Sequence, residues 1–149
     1  ANSIANFKGY FDCFKKNLVL LPNQTLHFEL GRSLVAQCGS LIARVLYIKP
    51  AEQTSFMILD AGMTELIRPA LYRSFHFIEN LSSQEGSIIY DVVGPICETS
   101  DAFARGLLLP ETKRGDMLAI RSAGAYGEVM ASQYNLRKVA PSIFSDDFK

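Results

Sequence analysis

The chain has 149 residues, 48% of them hydrophobic and 20% charged, which is enough apolar material for one domain with its own core and too much for a disordered segment. Lysine plus arginine equals aspartate plus glutamate at 15 each, so the formal net charge is zero and gives no electrostatic grip on nucleic acid or an anionic membrane. Three widely spaced cysteines, Cys13, Cys38 and Cys97, form no disulfide framework, and two histidines with no C-x-x-C or H-E-x-x-H argue against a structural metal site.

From the N-terminus, Ile4, Phe7, Phe11 and Phe14 stand at helical spacing and predict an amphipathic helix over Ile4–Lys16. Pro22-Asn23 marks a turn, and Thr25–Leu30 reads as a short strand. A Gly31-Arg32-Ser33 corner leads into the apolar stretch Leu34–Ile48. Gly39 signals a change of conformation inside it, and Ser40–Lys49, rich in Ile, Val, Leu and Tyr, is its better strand. Beyond Pro50, short β-prone runs recur at Ser55–Leu59, Phe75–Glu79, Ser87–Val93, Met117–Ser122 and Arg137–Pro141. Lys113-Arg114-Gly115-Asp116 is a tight-turn signal. Helical turns are expected near Thr64–Tyr72, Ala102–Gly106 and Gly127–Gln133. The apolar runs near Leu18–Leu21 and Leu107–Leu109 are too short to span a bilayer, and no N-terminal segment reads as a signal peptide.

The expected fold is mainly β (α+β). A β-sandwich or barrel spans residues 39–149, preceded by a helix–strand unit over residues 1–38 that is too small to be a domain by itself. That preface reads as the trailing end of a larger α/β unit. Its apolar face, with Phe7, Phe11 and Phe14, needs cover from the β domain or another chain. Cys13 and Cys38 are expected to be buried structural cysteines, and reduced thiols fit a cytoplasmic protein.

Four clusters carry candidate chemistry, each with a plainer alternative. Glu29 and Arg32 flank a glycine corner at a strand end, the place where α/β barrels build active sites, or they form a surface ion pair. Arg68 and Tyr72, four apart, suit a carboxylate ligand on one helical face, or belong to an ordinary capped helix. Gly94-Pro95-Ile96-Cys97-Glu98-Thr99-Ser100-Asp101 presents a thiol that can donate a proton, or hides a structural cysteine. Gly124-Ala125-Tyr126-Gly127 lets a ligand approach the backbone beside a phenol, or is a simple turn.

Taken in order, Glu-x-Gly-Arg-Ser, Asp-Ala-Gly-Met with Arg-Pro-Ala-Leu-Tyr, Asp-Val-Val-Gly-Pro-Ile-Cys-Glu, and Gly-Ala-Tyr-Gly with Met-Ala-Ser-Gln-Tyr-Asn-Leu-Arg make a series. Over roughly Thr25–Arg137 it resembles the C-terminal half of the diaminopimelate decarboxylases, pyridoxal-phosphate enzymes of the alanine racemase/decarboxylase type. The resemblance implies a (β/α)8 barrel that holds the cofactor, followed by a C-terminal β domain. The helix and strand of residues 1–38 would then be the end of the barrel.

The resemblance also implies roles. Glu29 faces the pyridine nitrogen of pyridoxal 5'-phosphate, and Arg32 binds substrate near the cofactor phosphate. Arg68 and Tyr72 hold the distal end of an amino-acid substrate. Cys97 donates a proton to Cα and Glu98 recognises the distal ammonium, both reaching into the site of a homodimeric partner. Tyr126 lies near cofactor and substrate. Leu30 stands where the family has proline, and Thr99 where it has serine. Nothing in the chain resembles the lysine that carries the cofactor, so the chain alone is expected to be inactive.

Two other kinds of function fit less well. Relatives acting on carboxynorspermidine, ornithine or arginine share the scaffold; ornithine has no distal carboxylate for Arg68, whereas carboxynorspermidine is harder to exclude. A non-catalytic β module for dimerisation has no reason to keep Cys97, Glu98, Arg68 and Tyr126 together.

Overall fold

The computed structural model describes residues 5–148, so Ile4, the first residue of the expected helix, lies outside the described residues. The helix itself, α1 (Phe7–Asn17), starts where the Asn6 side chain accepts the Gly9 N–H at 2.9 Å. Lys8 pairs with Asp12 one turn on at 2.7 Å, and Lys15 and Lys16 occupy the last turn, where cations complement the helix dipole. No residue of α1 is buried. Its aromatic face closes instead on the chain that follows: Phe28 meets Tyr10, Phe11 and Phe14 edge-on, with ring centroids 5.8, 4.9 and 5.0 Å apart.

Residues 25–30, expected as a strand, form none. A strand is defined by its ladder partner, and none lies beside this segment among the described residues. Two 3-10 turns, Gly31–Leu34 and Ala36–Cys38, make the corner, and regular β structure begins just past Gly39 as expected.

Six strands follow: β1 (Ser40–Lys49), β2 (Ser55–Leu59), β3 (Ile78–Asn80), β4 (Ile88–Val93), β5 (Ala102–Leu109) and β6 (Met117–Arg121). They form one nearly closed, barrel-like sheet in the order β3-β6-β1-β2-β4-β5. A short helix, α2 (Arg68–Tyr72), lies between β2 and β3. Alternation along the strands sends Ala43 and Val45, Met57 and Leu59, Tyr90 and Val92, and Leu118 and Ile120 into a single core. The mainly β expectation holds.

All strand pairs are antiparallel except one: β2 runs parallel to β4, with Ser55 opposite Tyr90 and Ile58 opposite Val93. Parallel neighbours need a long crossover, here residues 60–87 with α2 and β3 inside it. At the far end, buried Asn80 donates to Thr112 Oγ1 at 2.9 Å and Asp116 Oδ2 at 3.2 Å, tying β3 to the turn before β6. That turn has Gly115 at φ +95°, as the Lys-Arg-Gly-Asp signal predicts.

Residues 102–106, read as a helical turn, instead open β5. Gly106 sits at φ +61° where the β4–β5 register shifts, and the Asp91 carboxylate accepts its N–H at 2.7 Å. A glycine bulge in a strand thus produced the Ala-Arg-Gly pattern mistaken for helix. Residues 137–141 form no strand, and the helical turn expected over 127–133 is a 3-10 turn at Glu128–Met130. All three cysteines are exposed, which corrects the expectation of burial for Cys13 and Cys38.

The corner is pinned to the sheet at Gly124. Its N–H donates to the Ala36 carbonyl at 2.9 Å, and the Ala123 N–H donates to the Gly39 carbonyl at 2.9 Å. A Cβ at Gly124 would stand 2.3 Å from the Val35 carbonyl oxygen. Gly124→Ala therefore forces two backbones apart and is expected to lower the stability to urea by about 1–3 kcal/mol. An unchanged unfolding midpoint would contradict this packing.

Candidate functional site

Because β2 and β4 are parallel, the chain leaves both at the same end of the sheet. Residues 60–67 follow β2 and lead to Arg68; residues 94–101 follow β4 and carry Cys97 and Glu98. Each loop is fixed by a buried carboxylate. Glu65 Oε2 accepts the Gly62 N–H at 2.8 Å and the Thr64 hydroxyl at 2.7 Å, while its other oxygen faces Arg137 Nε at 3.7 Å. Asp101 Oδ1 accepts the Met63 N–H at 2.6 Å and Oδ2 accepts the Ile96 N–H at 2.7 Å. The Asp101 carboxylate thus joins the two loops. Burial pushes its carboxyl above the ordinary range, outweighing the two amide bonds; nearby Glu65 adds to the rise and Arg137 opposes it.

Arg68 opens α2, followed by Pro69, whose fixed φ suits a first helical turn; Arg73 at φ 52° ends it. The Arg68 guanidinium stacks over Tyr72 at 5.1 Å and lies 6.0 Å from the ring of Tyr126. Its Nε is buried without a hydrogen-bond partner. Sequence spacing put Arg68 beside Tyr72; the fold adds Tyr126 from a turn more than fifty residues on. Tyr126 adopts φ 59°, costly for a bulky residue. The flanking glycines serve the backbone: a Cβ on Gly127 would stand 2.0 Å from the Ala123 carbonyl oxygen, as one on Gly124 would meet Val35. Their role is close chain packing, and it leaves the Tyr126 ring beside Arg68.

Arg32, exposed on the 3-10 corner, belongs to the same charged neighbourhood. The link is buried His76. Burial first, then the guanidiniums of Arg32 and Arg68, hold His76 below its ordinary pKa of 6.5, against the bond to the Arg121 carbonyl. A carbonyl can only accept, so Nδ1 carries the proton and donates to it at 2.9 Å; Nε2 is left to accept from Ser74 Oγ at 3.2 Å. Glu29 is exposed just before the corner, and among the described residues no ion pair joins it to Arg32.

Cys97 and Glu98 lie together at the exposed tip of residues 94–101. Glu98 Oε1 accepts from the Tyr134 hydroxyl at 3.5 Å, and not from any group around Arg68. Arg68, Tyr72 and Tyr126 thus form one cationic, aromatic cluster, and Cys97 with Glu98 forms a second. Sequence reasoning missed the role of His76, the bridging role of Asp101, and the contact of Tyr134 with Glu98. Asp101 lay inside the quoted motif, but only the folded hydrogen bonds reveal its partners. Among the described residues no cluster of three or more His, Cys, Asp or Glu is placed to hold a metal ion, and no helix is long and apolar enough to cross a membrane.

His76 gives a pH prediction. Its folded pKa lies below its unfolded value, so its contribution to stability is full above about pH 6.5 and is lost as pH falls, when the unfolded chain takes up a proton that the fold refuses. His76→Gln is expected to flatten the decline in urea midpoint between about pH 7 and 5. An identical slope in both proteins would contradict the buried neutral imidazole.

The model of the pyridoxal-dependent decarboxylase family, C-terminal sheet domain, matches residues 11–124. A diaminopimelate decarboxylase of Bacteroides thetaiotaomicron is 57% identical over 145 residues, 97% of this chain and 38% of its own length. The crystal structure of diaminopimelate decarboxylase from M. jannaschii in complex with L-lysine superposes with a TM-score of 0.74 at 39% identity, covering 89% of this chain and 30% of that one. A lysine/ornithine decarboxylase of Vibrio vulnificus, bound to cadaverine, gives 0.67 at 25% identity, covering 74% and 30%. The chain therefore spans about two-fifths or less of the length of these relatives. With its sheet, its parallel pair and its loop motifs, the chain belongs to the pyridoxal-dependent decarboxylase family, as that family's C-terminal sheet domain.

Proposed function

We propose that this chain is the substrate-reading and dimerising portion of a diaminopimelate decarboxylase, which converts meso-2,6-diaminopimelate to L-lysine and CO₂. The observation that carries the reading is Arg68, a stacked guanidinium whose Nε has no hydrogen-bond acceptor among the described residues. A carboxylate at the far end of a substrate would supply that acceptor. Ornithine has no such group, and identity to the lysine/ornithine decarboxylase is 25% against 57% for the diaminopimelate enzyme.

In this reading residues 1–38 are the end of a cofactor-binding barrel and residues 39–149 are the β domain. The donor set on the corner fits pyridoxal phosphate in kind. Glu29 is an exposed carboxylate able to hold a proton on a pyridine nitrogen, and Arg32 is an exposed guanidinium suited to an anion. Bound pyridoxal phosphate supplies the electron sink that lets the substrate lose CO₂. The chain's own residues do the rest. Arg68 and Tyr72 hold the distal carboxylate, with the Tyr126 ring beside them. Glu98 pairs with the distal ammonium. The Cys97 thiol delivers a proton to Cα after CO₂ departs. The exposed tip bearing Cys97 and Glu98 suits donation to the site of a partner subunit in a cytoplasmic homodimer. The lysine that carries the cofactor would belong to the barrel.

The test uses the barrel-containing protein with meso-diaminopimelate, following CO₂ release and cofactor absorbance. Cys97→Ala is expected to lower kcat by at least about 100-fold with the absorbance retained. Loss of cofactor in step with turnover would sink the proton-donor role. Turnover of carboxynorspermidine in place of diaminopimelate would reassign the substrate.

A further inference from the structure

Asp101 is buried, 4% exposed, at the base of the loop that presents Cys97 and Glu98. Its groups close that loop on three sides. The backbone carbonyl accepts the Gly94 N–H at 3.0 Å, and the backbone N–H donates to the Glu98 carbonyl at 3.1 Å. The carboxylate takes the Ile96 N–H at 2.7 Å inside the loop and the Met63 N–H at 2.6 Å outside it. Space for the carboxylate comes from two glycines. A Cβ on Gly94 would stand 2.3 Å from Oδ2, and one on Gly62 would stand 2.7 Å from Oδ1. The Gly-Pro and Ala-Gly motifs are thus shaped around one side chain.

We propose that Asp101 is a positioning residue for the reaction: its carboxylate clamps the loop carrying Cys97 and Glu98 to the loop that leads to Arg68, and so fixes where the proton donor stands. The proposal rests on the roles given above to Cys97 and Glu98. Short bonds from backbone N–H to a carboxylate are the strong kind; the one to Ile96 closes the loop itself, and the one to Met63 reaches a loop more than thirty residues away in sequence. A neutral or apolar residue in the same space would fill the base but could not hold both amides. Burial of a carboxylate against its desolvation cost is also more usual at working sites than in structural turns.

Asp101→Asn keeps the shape and can accept only one of the two N–H groups, turning an amide donor toward the other. In this chain, amide hydrogen exchange of Met63 or Ile96 is expected to quicken about tenfold or more, with β6 amides in the core unchanged. In the barrel-containing protein kcat is expected to fall about tenfold or more, while KM for diaminopimelate rises by a smaller factor, since the displaced loop also carries Glu98 but Arg68 and Tyr72 still hold the distal carboxylate. Wild-type exchange at both amides would overturn the clamp. A loosened loop with kcat within about twofold of wild type would overturn the positioning role. Should the variant fail to fold, the unmodified chain decides: Met63 and Ile96 must exchange at least about tenfold more slowly than Cys97 and Thr99 at the loop tip, and equal rates reject the clamp. Absence of CO₂ release from the unmodified barrel-containing protein would instead reject the decarboxylase reading, a result the exchange data do not share.

Discussion

One parallel strand pair governs the layout of the site. In an otherwise antiparallel sheet β2 and β4 run the same way, so the segments after Leu59 and Val93 emerge side by side. Antiparallel pairing would send one of them to the opposite end. Parallel pairing also demands the crossover that contains Arg68, Tyr72 and His76. The two loops then need a link, because adjacent backbone amides in a tight, half-buried space require acceptors. Asp101 and Glu65 supply them from side chains, and Gly62 and Gly94 leave room. The chemistry-bearing residues ride on this frame.

Much of this was legible in the sequence where local pattern and tertiary pairing agree. β1, β2, β4 and β6 alternate or run apolar over five to ten residues, and each has a neighbour to pair with. The aromatic stripe of α1 was legible as a local signal, but the helix expected from Ile4 starts at Phe7, after an Asn6 cap that the sequence reading did not use. Misreadings fell where the deciding partner was remote. β5 looked helical because its bulge places Arg105 and Gly106 opposite a single Asp91, whose carboxylate sits on another strand. Residues 25–30 have strand-like composition but no ladder beside them. The glycines around Tyr126 suggested a ligand, yet they face the Val35 and Ala123 carbonyls. The Arg68–Tyr72 pair followed from spacing of four; Tyr126, His76 and Tyr134 could be placed only by the fold.

The arm is the other consequence of what the sheet leaves uncovered. α1 buries none of its residues, and the apolar groove it forms with the chain after it, about 650 Å³, is lined by Phe11, Phe14, Leu18, Leu20, Leu26 and Phe28. The sheet's own core is complete without the arm. The corner at Gly124 nonetheless holds the arm's last turns against the Tyr126 segment, which brings Arg32 within electrostatic reach of His76. Cys97 and Glu98 are exposed on a separate loop from the Arg68 cluster, and in the proposed reading that loop serves the site of a partner subunit.

That division of labour is open to direct measurement in the barrel-containing protein. Two inactive variants are mixed, one Cys97→Ala and the other lacking the barrel lysine that carries the cofactor, and CO₂ release from meso-diaminopimelate is followed as subunits exchange. The account predicts that activity rises well above the sum of the two parents, because mixed dimers rebuild one intact site from a barrel of one subunit and the Cys97 tip of the other. Activity that stays at that sum, with exchange of subunits verified, would place Cys97 in its own subunit's site or outside the chemistry altogether.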